Sequence, residues 1–278
     1  METIAILGTG LMGSSLGLAL RKRGAPVRIH AYARRPATRE AALNLCIADA
    51  VFSDPAEAVR GADLVVLCVP VLTIPELAKA CRAGLKPGVI LTDVGSTKAC
   101  LNALMAEALA GTGAEFIGSH PICGSEQQGI EAGNADLYEG AMTVVTPPPL
   151  ANESSVRKVS NLWKSAGSSV TVMDAAQHDC ILAATSHLPH VIAAALALSA
   201  GNNGLFCGSG FRDTTRIAEG SPQVWSDIVR TNAPALKEAL RIFSQNLNVL
   251  TALVEEGDGE KLANWFSAAR DKRKELLG

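Results

Sequence analysis

The sequence predicts an α/β chain in which a doubly wound, mainly parallel sheet is followed by an all-α part. Three observations carry that prediction. Apolar, β-branched runs at Ile4–Leu7, Val27–Tyr32, Leu64–Val69, Val89–Asp93 and Phe116–Ser119 alternate with helix-like stretches, the pattern of parallel strands buried on both faces by crossover helices. After Asp174 the glycine-punctuated strands give way to alanine- and leucine-rich stretches. At 278 residues and 48% hydrophobic, the chain has room for two domains and can fill a substantial core without metals or disulfides.

Each element follows from local signals. The stretch from Leu11 to Arg23 is helical in pattern, and Gly24 follows the basic Arg21-Lys22-Arg23 as a C-terminal cap would. Asp54-Pro55-Ala56-Glu57 has the order of an N-cap, a first-turn proline and a capping-box glutamate. Strands at Met142–Val145 and Val170–Met173 bracket a helix from Glu153 to Ser165 and are expected to extend the same sheet. The first domain then spans 1–173. The second, 174–278, opens on the capping order Asp174-Ala175-Ala176-Gln177 and should be almost wholly helical. Pro189 lies inside its long first helix, where it frees the carbonyl of Thr185 and predicts a kink.

Composition excludes several function classes. A net charge of −2 and a pI near 6.2 give no general attraction to nucleic acid or anionic membranes, so anions must be held by locally placed arginines. The longest apolar stretch, around Val191–Ala200, is shorter than the ~20 residues of a bilayer span, and no basic stretch precedes the first apolar residues, which predicts a cytoplasmic protein. The seven cysteines are scattered without a CxxC pair, as expected of buried thiols in a reducing compartment. Cys123 lies three residues after His120, but nothing adjacent supplies the positive field of a reactive thiolate.

The first strand runs into Gly8-Thr9-Gly10-Leu11-Met12-Gly13 and a helix follows. A GxGxxG can be any tight turn, yet between a strand and a helix it is the fingerprint of a Rossmann-type dinucleotide site, where the N–H groups of the helix start and its dipole attract a pyrophosphate. Val69-Pro70, at the end of another strand, is expected to line the same cofactor site. Where an acidic residue would hold the adenosine ribose of NAD, this chain reads Tyr32-Ala33-Arg34-Arg35. Arg34 and Arg35 either pair with the 2′-phosphate of NADP or are solvated loop residues, and the missing acid favours NADP over NAD.

Asp93-Val94-Gly95-Ser96 ends a strand, and Ser96 there either touches nicotinamide and substrate together or caps a helix. His120 ends the next strand, so its imidazole and Ser96 should converge. His187 and His190, three residues apart, share a helix face beside Pro189, and His178 should face elsewhere. No third ligand accompanies that pair, so no metal is expected. Arg212 and Arg216 lie one turn apart with Asp213 able to pair with one of them; the free guanidinium either grips a carboxylate or is surface charge.

The runs GTGLMG, DVGSTK, GSHPICGSE, SHLPH and GSGFRDTTRIA followed by SPQVW resemble, in order and spacing over nearly the whole chain, the prephenate/arogenate dehydrogenase family of tyrosine biosynthesis. The resemblance implies a dinucleotide-binding domain followed by a helical dimerisation domain, a homodimer, and oxidative decarboxylation of a cyclohexadienol with hydride transfer to NADP or NAD. It implies that His120 accepts the proton of the ring hydroxyl, that Ser96 orients hydroxyl and cofactor, and that Arg216 binds a substrate carboxylate. His190, His187, Ser125, Glu126 and Trp225 would line the pocket. Aromatisation drives the step, so the protein need mainly position hydride, proton and carboxylate. A histidine at 190 offers a donor to a keto acid and, protonated, repels an ammonium group, which favours prephenate over arogenate or dual specificity. Two other readings compete. A β-hydroxyacid dehydrogenase would place a lysine in the second domain's first helix, and 175–200 contains none. A dinucleotide-binding sensor or scaffold would not need Ser96, His120 and Arg216 together.

Overall fold

The structure, a computed structural model, describes residues 2–125 and 127–278. Its main sheet contains β1 (Thr3–Leu7), β2 (Arg28–Tyr32), β3 (Ala50–Phe52), β4 (Leu64–Leu67), β5 (Ile90–Asp93) and β6 (Glu115–Phe116) in the order β3-β2-β1-β4-β5-β6. Every pairing in it is parallel. The crossovers carry α1 (Leu11–Lys22), α2 (Pro36–Asn44), α3 (Pro55–Ala58), α4 (Ile74–Cys81) and α5 (Ala99–Ala108). Alternate residues of β1 serve opposite cores: Ile4 and Ile6 pack with Leu16, Leu20 and Trp163, while Ala5 and Leu7 pack with Ile74, Leu101 and Met105. The strand order reverses between β1 and β4, which opens the crevice where such sheets bind ligands.

The local signals act as their chemistry requires. Gly24 takes φ +63° beyond α1, and Asp54 Oδ1 accepts the Ala56 N–H at 2.9 Å, although the helix it starts is a single turn. The strand Ala50–Phe52 carries no sequence signal of its own and forms by pairing with β2.

The expected strand Phe116–Ser119 is broken, and the later strands do not extend the main sheet. After β6 the chain pairs anew as β7 (Gly118–Pro121), antiparallel to β8 (Met142–Thr146), which is parallel to β9 (Ser169–Val172). Where the sheets part, the Asp93 carboxylate accepts the Ser119 N–H at 3.0 Å. α6 (Glu153–Ala166) lies between β8 and β9, capped by Asn152 and ended by Gly167 at φ +107°.

Asp174 caps α7 (Ala175–Leu182) through the N–H groups of Ala176 and Gln177 at 2.8 and 3.1 Å. A π-helical turn, Ala183–His187, joins α7 to α8 (Leu188–Ser199). This wide turn meets the problem posed by Pro189, whose ring and missing N–H disturb the turn before it. The joined run Ala175–Ser199 has 25 residues and contains an 18-residue window of mean hydropathy 1.6, long and apolar enough by composition alone to cross a membrane, although polar residues interrupt it before the apolar stretch at 191–200. Here it carries the buried polar side chains of His178, Asp179 and His187. Next come α9 (Ser209–Thr215), a 3₁₀ turn at Arg216–Glu219 that packs against α8, and α10 (Pro222–Thr231).

By contacts the chain forms two compact units, Met1–Asn232 and Ala233–Gly278, whereas its composition changes at 173/174. The helices from 175 to 231 join the first unit because they bond to it directly: Asp179 accepts the N–H groups that start α5, and Thr97 Oγ1 meets Thr231 Oγ1 at 2.8 Å. The second unit is α11 (Ala233–Glu256) packed on α12 (Gly259–Leu277). All seven cysteines are free, but only Cys81 is buried; Cys46 and Cys180 are exposed, against the expectation of buried thiols.

Candidate active site

At the carboxyl end of β5, Asp93 organises everything that follows. Its buried carboxylate accepts the N–H of Gly95 at 2.7 Å and of Ser119 at 3.0 Å, and pairs with the buried ammonium of Lys98. Lys98 Nζ also donates to the Ser119 carbonyl at 3.0 Å. These bonds tie the loop holding Ser96 to β7, and so set where His120 stands. A buried lysine is drawn toward neutrality by desolvation and held charged by its carboxylate partner; for Lys98 burial prevails and lowers the pKa.

His120 is 8% exposed. Its Nδ1 lies 2.9 Å from His178 Nε2, and His178 Nδ1 lies 2.8 Å from Asp179 Oδ1. The same Asp179 carboxylate accepts the Lys98 N–H at 2.8 Å and the Ala99 N–H at 2.9 Å, so it serves as the cap that α5 lacks locally. Ser96 is therefore not the cap of α5, and that reading of it is removed. Burial, reinforced by His178, Lys98 and His187, holds the His120 pKa well below the ordinary histidine value.

Asn232 Nδ2 donates to the Asp179 carbonyl at 2.8 Å and to His187 Nδ1 at 3.1 Å. His187 must then carry its proton on Nε2, a fully buried position without a hydrogen-bond partner that faces the Ser96 backbone. Burial, opposed by Asp179, pushes the His187 pKa down to about 4. The half-buried His190 ring stacks on Trp225 with centroids 3.6 Å apart, and Trp225 lies against Gly220, directly after the Arg216 turn. α10, which carries Trp225, packs on the turn Val71–Thr73 just beyond Val69-Pro70.

The glycine turn passes a test of fit for a dinucleotide. Gly8 has φ +104° and a Cβ there would lie 2.5 Å from the Cys68 carbonyl oxygen, so packing demands glycine. At Gly10 a Cβ would meet nothing within 4 Å, and its φ of −76° suits any residue. Open space over an uncapped helix start at Leu11 and Met12 is what a pyrophosphate would need.

Family models match in sequence: residues 16–172 match the nucleotide-binding domain of prephenate dehydrogenase and 174–268 its dimerization domain. The chain belongs to the prephenate dehydrogenase family. It is 34% identical to the cyclohexadienyl dehydrogenase of Zymomonas mobilis over 97% of this chain and 94% of that protein. The prephenate dehydrogenase of Aquifex aeolicus, solved with hydroxyphenyl propionate and NAD+, superposes with a TM-score of 0.92 at 31% identity, covering 99% of this chain and 98% of that one. The arogenate dehydrogenase of Synechocystis superposes at 0.85 with 27% identity, covering 99% and 100%. The chain is thus an NAD(P)-dependent oxidoreductase of this family.

Within this prephenate dehydrogenase fold, some residues singled out by sequence stand close together and others apart. His120, Ser96, His187, His190 and Trp225 gather around Asp93, Asp179 and Asn232. Ser96 is half-buried, and the ring that bonds to His120 is His178. Arg216 is exposed on its turn and enters no salt bridge among the described residues, nor does Asp213 pair with it or with Arg212. Arg34 and Arg35 are exposed, while Arg39 grips the carbonyls of Ala33 and Arg34 at 3.0 and 2.8 Å. Ser125 is exposed and Glu126 lies outside the described residues. Burial raises the Cys123 thiol to about 11, as its lack of positive neighbours implied.

Two expectations are corrected. His178 does not face elsewhere but meets His120, because the π turn between His178 and His187 breaks the regular phase on which that expectation rested. His190 Nδ1 bonds the Ser186 carbonyl at 3.2 Å, which requires a proton there; in neutral His190, Nε2 is then an acceptor rather than the expected donor. Sequence reasoning passes over Lys98, Asp179 and Asn232. A signal for one of them was present in Asp93-x4-Lys98, two opposite charges at the mouth of a buried strand.

Proposed function

We propose that this enzyme oxidatively decarboxylates prephenate to 4-hydroxyphenylpyruvate, with NADP as the preferred hydride acceptor and NAD as the alternative. The placement of His120 carries the reading: a buried imidazole at the end of β7, kept neutral and hence basic, beside the crevice at the carboxyl ends of β1, β4 and β5. Its free Nε2 would take the ring hydroxyl proton as the carbon below it becomes a carbonyl; Ser96 would orient that hydroxyl. Bound nicotinamide supplies the two-electron acceptor. The N–H groups of Leu11 and Met12, behind Gly8, Gly10 and Gly13, would hold its pyrophosphate, with Val69, Pro70 and Ser96 lining the site and Arg34 and Arg35 meeting a 2′-phosphate. Arg216 would grip a substrate carboxylate, with His187, His190, Trp225, Ser125 and Glu126 around it. No metal takes part.

The dimerization-domain match supports a homodimer through the helical part. So do exposed apolar residues there, including Leu198 at 86% and Phe206 at 86%. A second reading, arogenate as substrate, is favoured by the acceptor at His190 Nε2, which suits an ammonium group.

Supplying prephenate or arogenate with NADP+ or NAD+ and following reduced nicotinamide by absorbance tests the proposal. The highest kcat/KM is expected for prephenate with NADP+. A tenfold or larger advantage for NAD+ ends the cofactor assignment, and turnover of neither compound ends the enzymatic one.

A further inference from the structure

We infer that His178 and Asp179 are positioning residues which set the tautomer of His120 and so aim its lone pair outward. The inference rests on the proposed role of His120 as base and follows from counting donors along one chain of bonds. Asp179 Oδ1 already accepts the Lys98 N–H at 2.8 Å, and as a carboxylate oxygen it can only accept from His178 Nδ1 at 2.8 Å. His178 therefore carries its proton on Nδ1. In its neutral form Nε2 is then a bare acceptor, and the 2.9 Å contact from His120 Nδ1 requires the His120 proton to sit on Nδ1. The lone pair of His120 is left on Nε2, which has no hydrogen-bond partner among the described residues and belongs to a residue that keeps 8% exposure.

In water an isolated imidazole is free to choose the opposite tautomer, with its proton on Nε2, where it could not accept one from substrate. The chain removes that choice. Each member is immobilised by something other than its neighbour in the chain. Asp179 is fixed by the two N–H groups at the start of α5, its backbone by Asn232 at 2.8 Å, and His178 by complete burial on α7. When His120 Nε2 accepts a proton, its Nδ1 proton remains shared with His178, and the Asp179 carboxylate offsets the new positive charge. Among the described residues, the other charged or titratable groups facing His120 are Lys98 and His187, both of which disfavour that charge, so among them Asp179 is the balancing anion, with Asp93 neutralising Lys98 behind it.

The test uses the full chain labelled with [15N]histidine, with His120→Asn assigning the His120 ring resonances. The Nδ1–H tautomer is expected for His120 in the wild type. His178→Gln keeps an acceptor near the position of Nε2 and should retain both tautomer and most of the turnover. His178→Leu should release the ring to the Nε2–H form and lower kcat about ten- to a hundredfold at unchanged KM, a part of the ~10²–10⁴ that a positioned base contributes. A wild-type His120 protonated on Nε2 would overturn the inference, as would a His178→Leu enzyme with unaltered spectrum and kcat. The spectra report on the bond chain even if neither cyclohexadienol is turned over, so failure of the proposed activity and failure of this inference are separable.

Discussion

A Cβ on Gly13 would overlap the carbonyl oxygen of Gly8, whereas one on Gly10, between them, would meet no atom within 4 Å. Two glycines of one motif are thus held to glycine for different reasons, one by the fold and one by space kept open for a ligand. Gly13→Ala should gain at most ~1 kcal/mol of helix propensity and lose more to overpacking against backbone, which costs ~1–3 kcal/mol or more. A lowered Tm is expected. Gly10→Ala should melt like the wild type yet bind dinucleotide at least about tenfold more weakly, because its methyl group would occupy the pyrophosphate's approach. Equal Tm values for the two variants, or native cofactor affinity in Gly10→Ala, would contradict this division.

His120→Asn should lose ~10²–10⁴ in kcat while retaining cofactor affinity. Turnover near that of the wild type would remove His120 from the chemistry.

The pH dependence follows from the direction of the His120 shift. Burial and its cationic neighbours depress the pKa below the ordinary ~6.5, so the ring stays neutral to lower pH than a free histidine. The acidic limb of kcat/KM should accordingly fall below pH ~6.5, with activity level from there to pH 8. Stability should follow with the same sign. The unfolded chain protonates its histidines near pH ~6.5, whereas folded His187 resists until about 4. Unfolding is then favoured progressively as pH falls through that window and not above it. Denaturation midpoints that do not change between pH 7 and pH 4.5 would contradict this.

Lys98→Met strands the Asp93 carboxylate in a fully buried site. Removing one partner of such a pair costs ~3–5 kcal/mol, and a large drop in urea midpoint is expected. A change under ~1 kcal/mol would mean that the pair is solvated.

Arg216→Ala removes an exposed guanidinium that enters no salt bridge among the described residues. If it binds a substrate carboxylate, KM should rise roughly ten- to a hundredfold with kcat little altered, the cost of a lost charge-assisted bond. An unchanged KM assigns Arg216 to plain surface charge.

Much of this was legible in the chain because it depends on short-range chemistry. Strand β1, the glycine turn, the caps at Asp54 and Asp174 and the helical second half are consequences of residues near one another in sequence, read through periodicity and φ preferences. The catalytic candidate His120 was visible by its position after a strand. Its partner His178 was not, because the bond joining them spans 58 residues and the relative facing of His178 and His187 is set by a π turn where Pro189 announces only a kink.

The sequence by itself determined the sheet-then-helix architecture, the dinucleotide turn and the set of histidines and arginines available for chemistry. Only the tertiary structure decided which imidazole faces which, where β7 leaves the main sheet, and that Asp179 at once caps α5 and anchors His178. The reason is physical: periodicity and capping report free energies of one or two turns of chain, whereas a proton's place on a buried ring is set by donors and acceptors that folding brings together from distant segments.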